Sequence, residues 1–263
     1  MIPRKEAAAL RVYLVTLPGS APDICAAPTV CLAYGLDRDG ALVRRNTPNG
    51  RGGLLGLCGA FPPTLADPDA LLRTLDAECA ARGFGGVLAD PAGTPTGEQR
   101  ALLCTLAQRL RRGGRRLYVP QDCAVEGAHV LVGSAVSGGT LRALLCEAIG
   151  RYGAGCTALA AEQLCMDFAL PCPTGVGAPL TAPAFDALRR AHGAKTHFSA
   201  ELCARYFTYC EGQTLHLVLF DDADTLRRKL SLARSLGVGD AFLCYPELNG
   251  VYDALFPGGQ LTF

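Results

Sequence analysis

Short apolar runs alternate with amphipathic helical patterns along nearly the whole chain, and few architectures accept that alternation. Residues 10–17, 29–35, 53–58 and 87–89 read as strands, closed by Gly, Pro or a turn such as Asp37-Arg38-Asp39-Gly40. Residues 117–119, 129–135, 165–170 and 240–245 bring the number to about eight, and the alternating stretch 214–220 is an extra strand. Between them run helices. One opens at Asp67-Pro68, with Asp as N-cap and Pro at the first helical position, and carries Leu71, Leu72, Leu75 and Cys79 at helical spacing. Others span 96–112, a stretch after Ser137-Gly138-Gly139 that carries Leu141, Leu144, Leu145 and Ile149, then 181–193 and 222–236. Residues 157–163 read as one more helical piece. Residues 197–211 are ambiguous, with Tyr206, Phe207 and Tyr209 assigned to helical packing in preference to a sugar groove. Strand–helix alternation implies parallel pairing, and eight strands favour closure over an open sheet. The expected fold is therefore α/β, a compact (β/α)8 TIM barrel with room for a small insertion after the seventh strand. No repeat or low-complexity linker interrupts it, so residues 1–263 are expected to form a single domain.

The chain is large enough for such a core, with 263 residues, 49% of them hydrophobic. A formal net charge of +1 gives no reason to expect a nucleic-acid partner, whose binders carry a strong basic face. Arg111, Arg112, Arg115 and Arg116 cluster where a helix ends, and cations there suit the helix dipole. The thirteen cysteines are odd in number and contain no C-x-x-C. Many lie in apolar runs, where a thiol acts as a small hydrophobe, so most read as reduced core residues of a cytoplasmic protein. No metal site or cofactor is expected, because no pairing has ligand spacing. No signal peptide and no membrane-length apolar run is visible, so no membrane partner is expected either.

The stretch Gly83-Phe84-Gly85-Gly86-Val87-Leu88-Ala89-Asp90-Pro91-Ala92 is an apolar strand that ends in one carboxylate. In a parallel barrel the carboxyl ends of the strands are where ligands meet the fold. This stretch resembles the signature strand of glycoside hydrolase family 18, the chitinase-like barrels, whose pattern is D-x-x-D-x-D-x-E. The four acids fall on Gly85, Leu88, Asp90 and Ala92, so one of them is present and the position of the proton donor holds a methyl group. The resemblance continues through Tyr34 at the end of the second strand, the third strand at 53–59, and 165–171 as the seventh strand. It also covers a late helix with Phe220-Asp221-Asp222 and Lys229, and the last strand, where Cys244 and Tyr245 stand near the family's Trp. The late helix is most similar to the branch that includes spore-germination glycosidases. A family Tyr after the sixth strand falls near Ser134 or Ala135.

What the resemblance implies is a barrel that binds an N-acetylglucosamine-containing glycan, with Tyr34, Asp90, Ser134 and Tyr245 facing the sugar. General-acid help contributes on the order of 100- to 10,000-fold, so Ala92 implies a non-catalytic or weakly active protein. Two alternatives stay open. In one, the barrel is an active glycosidase whose acid is relocated to Asp122 or Glu247, which follow the fifth and last strands beside Asp90. In the other it is a scaffold in a spore or envelope assembly, its protein partner unspecified, with a poorly formed mouth and an exposed apolar patch. His129 opens a strand and reads as structural, and Gly138-Gly139 reads as a tight turn in preference to a phosphate site.

Overall fold

The computed structural model describes residues 9–22, 25–45, 52–135, 139–248 and 250–261. The Gly138 turn lies outside them. The first strands are β1 (Arg11–Thr16), β2 (Thr29–Leu36) and β3 (Leu42–Arg44), then β4 (Leu54–Gly59), α1 (Pro68–Arg82) and β5 (Gly86–Pro91). There follow α2 (Gly97–Arg112), β6 (Arg116–Pro120), β7 (His129–Gly133), α3 (Leu141–Tyr152) and β8 (Thr157–Ala160). The inserted segment holds β9 (Cys165–Leu170), β10 (Ala178–Pro179), α4 (Ala182–Ala191), β11 (His197–Ser199), β12 (Ala204–Glu211) and β13 (Thr214–Phe220). Then α5 (Ala223–Ser235), β14 (Asp240–Cys244) and the one-turn α6 (Tyr252–Leu255) close the chain.

Eight parallel strands form the barrel in the order β1-β14-β8-β7-β6-β5-β4-β2, and β1 pairs with β2 to close it. β3 turns back antiparallel on β2. The expected barrel is present, but its seventh strand is not the expected one. Thr157–Ala160, read as helical, is β8 and pairs with both β7 and β14. A four-residue run buried on both faces carries no period that separates strand from helix. Cys165–Leu170, read as the seventh barrel strand, is instead β9 of a five-stranded antiparallel sheet, β10-β9-β13-β12-β11, inserted between β8 and α5. The ambiguous stretch is also sheet. Phe207 and Tyr209 alternate into the sheet's own core with Val218, Phe220, Phe185 and Leu188, a period of two and not a helical stripe.

Local chemistry explains the helix ends. Asp67 accepts from the Ala70 N–H at 2.8 Å, and Gly83 takes the left-handed conformation that ends α1. Thr96 and Gln99 form a reciprocal capping box on α2. Gly86 is required for another reason: a Cβ there would lie 2.1 Å from the Arg116 carbonyl oxygen of the neighbouring strand.

The barrel interior is a packed core. Tyr13, Leu54, Leu88, Tyr118 and Phe242 fill it, with Tyr13 stacked on Phe242 at 5.0 Å. Its N-terminal end is closed by Asp240, which accepts from Arg11 Nε at 2.9 Å, Arg116 Nη1 at 2.7 Å and the Tyr118 hydroxyl at 3.0 Å. Arg116 thus leaves the expected helix-end cluster, while Arg111 and Arg112 sit in the last turn of α2. His129 packs its ring on Tyr118 at 5.0 Å. All thirteen cysteines are free; Cys79, Cys123 and Cys203 are buried, whereas Cys146 and Cys210 face solvent. Among the described residues no helix is long and apolar enough to cross a membrane. Nor, among them, are three or more His, Cys, Asp or Glu grouped to hold a metal.

Candidate functional site

The alternation of β5 decides which side chains reach the mouth. Val87 and Ala89 point out to the helices. Leu88 points into the barrel and packs in its core. Asp90 shares Leu88's parity and emerges at the carboxyl end, opposite Cys58 of β4. The next residue of that parity, Ala92, is exposed, and its N–H donates to the Gly59 carbonyl at 2.9 Å. Asp90 is open to solvent on one side, yet desolvation by the rim raises its carboxyl above the usual range, helped by the nearby Asp122 carboxylate. Asp122 lies in the 3-10 turn after β6, and its carbonyl accepts from Arg100 Nη2 at 2.8 Å. The mouth therefore brings Asp90 and Asp122 together.

Glu247 belongs to another part of the rim. It lies in the turn after β14, and its carboxyl is raised by desolvation and by Glu162, which follows β8. Glu162 escapes a sequence reading that takes 157–163 as helix; a strand ending at Ala160 would have pointed to it. The Ala135 N–H donates to Glu162 Oε2 at 3.2 Å, which holds that carboxylate over the end of β7. Both glutamates line a cleft of about 1350 Å³ between the barrel rim and the inserted sheet. Phe185, Asp186 and Arg189 of α4, Arg205 of β12 and Phe220 of β13 form its far wall.

The expected sugar contacts fall in three places. Tyr34 should follow Val30 and Leu32 inward, but the pairing of β2 with β4 shifts register between Cys31 and Tyr34. The shift turns Tyr34 outward, where it is buried against α1 and donates to Glu78 Oε1 at 2.6 Å. Ser134 is buried at the seam with the inserted sheet, and its hydroxyl oxygen accepts from the Glu162 N–H at 3.0 Å and from Lys229 Nζ at 3.4 Å. Tyr245 packs edge-on against Tyr252 at 5.0 Å, beside Glu247 on the same turn.

Lys229 is the centre of a buried network the sequence reading did not find. Its ammonium lies 2.6 Å from Asp221 Oδ2, with both side chains essentially inaccessible. Asp221 also accepts from the Leu164 N–H at 2.9 Å and the Thr225 hydroxyl at 2.8 Å. These bonds tie the ends of β7 and β8, the exit of the inserted sheet and α5 into one seam beneath the cleft.

With this geometry established, known structures show where the architecture recurs. The fold is that of the chitinase-like barrels. The spore cortex-lytic enzyme SleL of Bacillus megaterium superposes with a TM-score of 0.63 at 16% identity, over 90% of this chain and 70% of that one. A chitinase from Chromobacterium violaceum gives 0.63 at 15%, over 96% and 99%. A mutant class V chitinase from Nicotiana tobaccum, in complex with NAG4, gives 0.64 at 11%, over 95% and 99%. No protein-family model matches the sequence, and no curated protein does. At such identities the shared property is the chitinase-like fold.

Proposed function

We propose that this chitinase-like barrel binds an N-acetylglucosamine-containing glycan at its mouth and hydrolyses it weakly or not at all. The observation that carries the reading is the pair of positions at the end of β5, where Asp90 projects from the barrel and Ala92 beside it is an exposed methyl. A methyl cannot protonate a leaving oxygen, whereas Asp90 can still accept a hydrogen bond from a sugar amide or hydroxyl. A wide cleft with carboxylates on its rim supports a binder over a bare scaffold. So do the exposed large hydrophobic residues Leu17, Val43, Val176, Phe198 and Leu215, which belong to separate elements. The free thiols suit a reducing compartment, so we place the protein in the cytoplasm or, given the spore-enzyme likeness, in a forming spore.

A second reading has specific support. Asp90 with Asp122, and Glu247 with Glu162, are carboxylate pairs in which one member is raised, the arrangement from which acid and base roles are built. One experiment separates the readings: release of product from a fluorogenic N-acetylglucosamine oligomer by the natural protein, Asp90→Asn and Ala92→Glu. Binding without turnover in the natural protein, and turnover gained by Ala92→Glu, is the expected result. Turnover in the natural protein that Asp122→Asn or Glu247→Gln abolishes would establish a relocated acid instead. No binding of any such oligomer would reject both.

A further inference from the structure

The inserted sheet has one face packed on α4 and one face bare. Residues directly opposite one another in an antiparallel pair share a face. Asp167, Val218 and Phe207 form one such row, on the side where Phe185 and Leu188 of α4 pack. Phe168, Leu217 and Thr208 form a row on the other side, and Leu170, Leu215 and Cys210 form the next. No position of β9, β12 or β13 on that other side holds a charged residue, because Asp167, Arg205, Glu211 and His216 all take the α4 side. A half-buried antiparallel sheet ordinarily turns polar side chains to water, and this one does the reverse. Among the described residues the bare face joins none of the buried hydrophobic clusters, and Leu215 is 43% accessible. Phe168, Leu170 and Leu217 are half-buried, shaded by one another and not by a second layer. An apolar sheet face is stable when another layer covers it. The surface is separate from the glycan cleft, whose Phe185 and Phe220 belong to the α4 side.

We propose that this face is the contact surface of a homodimer in which two inserted sheets stack face to face. The face itself names a second copy as its occupant. It carries no charge, so two copies meet without repulsion and without burying an unpaired ion. It offers no carboxylate, amide or guanidinium to a polar ligand, so what covers it is equally apolar. Its relief is also self-complementary. A two-fold axis along β13 sets Leu215 and Leu217 against their own copies. The same axis lays the bulky β9 row over the slimmer β12 row, Phe168 facing Thr208 and Leu170 facing Cys210 of the other copy. Large against small is how stacked sheets interdigitate, and a contact of this kind closes at two copies. The three strands present roughly 15 by 20 Å of sheet. That footprint is under the ~800 Å² per partner of a standard interface, so the dissociation constant should be on the order of 10–100 μM.

Sedimentation velocity of the full chain under reducing conditions, from about 5 to about 500 μM, a range that brackets that constant, tests it. The weight-average mass should rise from one chain toward two, and raising the salt should not reverse the rise, since the contact is apolar. Leu215→Lys places a charge on an exposed position, so it should leave the melting temperature unchanged and weaken the dimer by about tenfold or more. A second readout needs no variant. Cys210 lies on the proposed contact and Cys146 lies on α3, and both thiols face solvent in the single chain. Alkylation by iodoacetamide, followed by mass spectrometry, should slow about threefold at Cys210 between the two concentrations, as mass action on the dimer requires, and keep its rate at Cys146. The mass of one chain throughout, a dimer that survives Leu215→Lys or dissolves in salt, or an unchanged Cys210 rate overturns the proposal. None of these results bears on glycan binding at the cleft.

Discussion

A methyl at position 92 and a carboxylate at position 90 sit two residues apart at the end of one strand, and their environments differ sharply. Asp90 is raised because the rim desolvates it and Asp122 repels it. Its carboxyl holds a proton more tightly folded than unfolded, so ionising it destabilises the fold as pH rises from its ordinary value of 3.8 through the raised one. The penalty is full at neutral pH and absent below both values. Asp90→Asn should therefore melt slightly higher than the natural protein at pH 7, by less than about 1 kcal/mol of stability for so exposed a group. That advantage should vanish below about pH 4. Thermal melts at the two pH values check this, and a lower midpoint for the variant at pH 7 would contradict it. Residue-level reading placed Asp90, Asp122 and Glu247 at strand ends, where the structure has them, because strand ends are visible in an apolar pattern. It misjudged Tyr34, because a bulge is a property of two paired strands and leaves no mark on either alone. It missed Glu162 because β8 was not recognised as a strand.

Elements with their own punctuation were legible. The start of α1 at Asp67-Pro68 and of α2 at Thr96 follow from caps that act within four residues. Thr96→Ala removes one side of the α2 capping box and should cost about 1 kcal/mol, or roughly 2–4 °C in melting temperature for a chain near this size. A melt unchanged to within a degree would mean that Gln99, which also donates to the Phe61 carbonyl at 2.8 Å, holds the helix start alone. The elements misassigned share a different cause. The β8 run Thr-Ala-Leu-Ala is short and mostly buried, so neither period applies. The β12 run places a half-buried aromatic, Tyr206, on the face opposite Phe207 and Tyr209, and its identity is settled by seven register partners on β13. β9 was correctly read as a strand but placed in the wrong sheet, since a strand's own residues do not say which neighbour it will have.

For the whole molecule, the seam between barrel and inserted sheet decides the shape of the cleft. The Lys229–Asp221 pair sits in it with almost no solvent access. Removing one partner leaves a buried charge uncompensated, which typically costs about 3–5 kcal/mol. Lys229→Met should therefore lower the melting temperature by roughly 10 °C. It should also weaken glycan binding, because Asp221, Ser134 and the Glu162 backbone lose a common partner. Differential scanning calorimetry of the variant checks the first effect, and calorimetric titration with an N-acetylglucosamine tetramer the second. A loss under about 1 kcal/mol would mean that water reaches the pair and takes the place of the missing cation.

By itself the sequence determined the class of fold, seven of the eight barrel strands, the helix starts, and the acid that ends β5 with no acid two residues on. Each depends on interactions within a few positions along the chain, or on a period that burial imposes locally. Only the tertiary structure decided that the barrel's seventh strand is Thr157–Ala160, that Tyr34 faces α1, that Ser134 is a buried node, and that Glu162 joins Glu247 on a cleft whose other wall is the inserted sheet. Those facts depend on which distant segments pair. Glu162 and Glu247 are far apart along the chain, and only the parallel pairing of β8 with β14 brings their two carboxylates onto one rim.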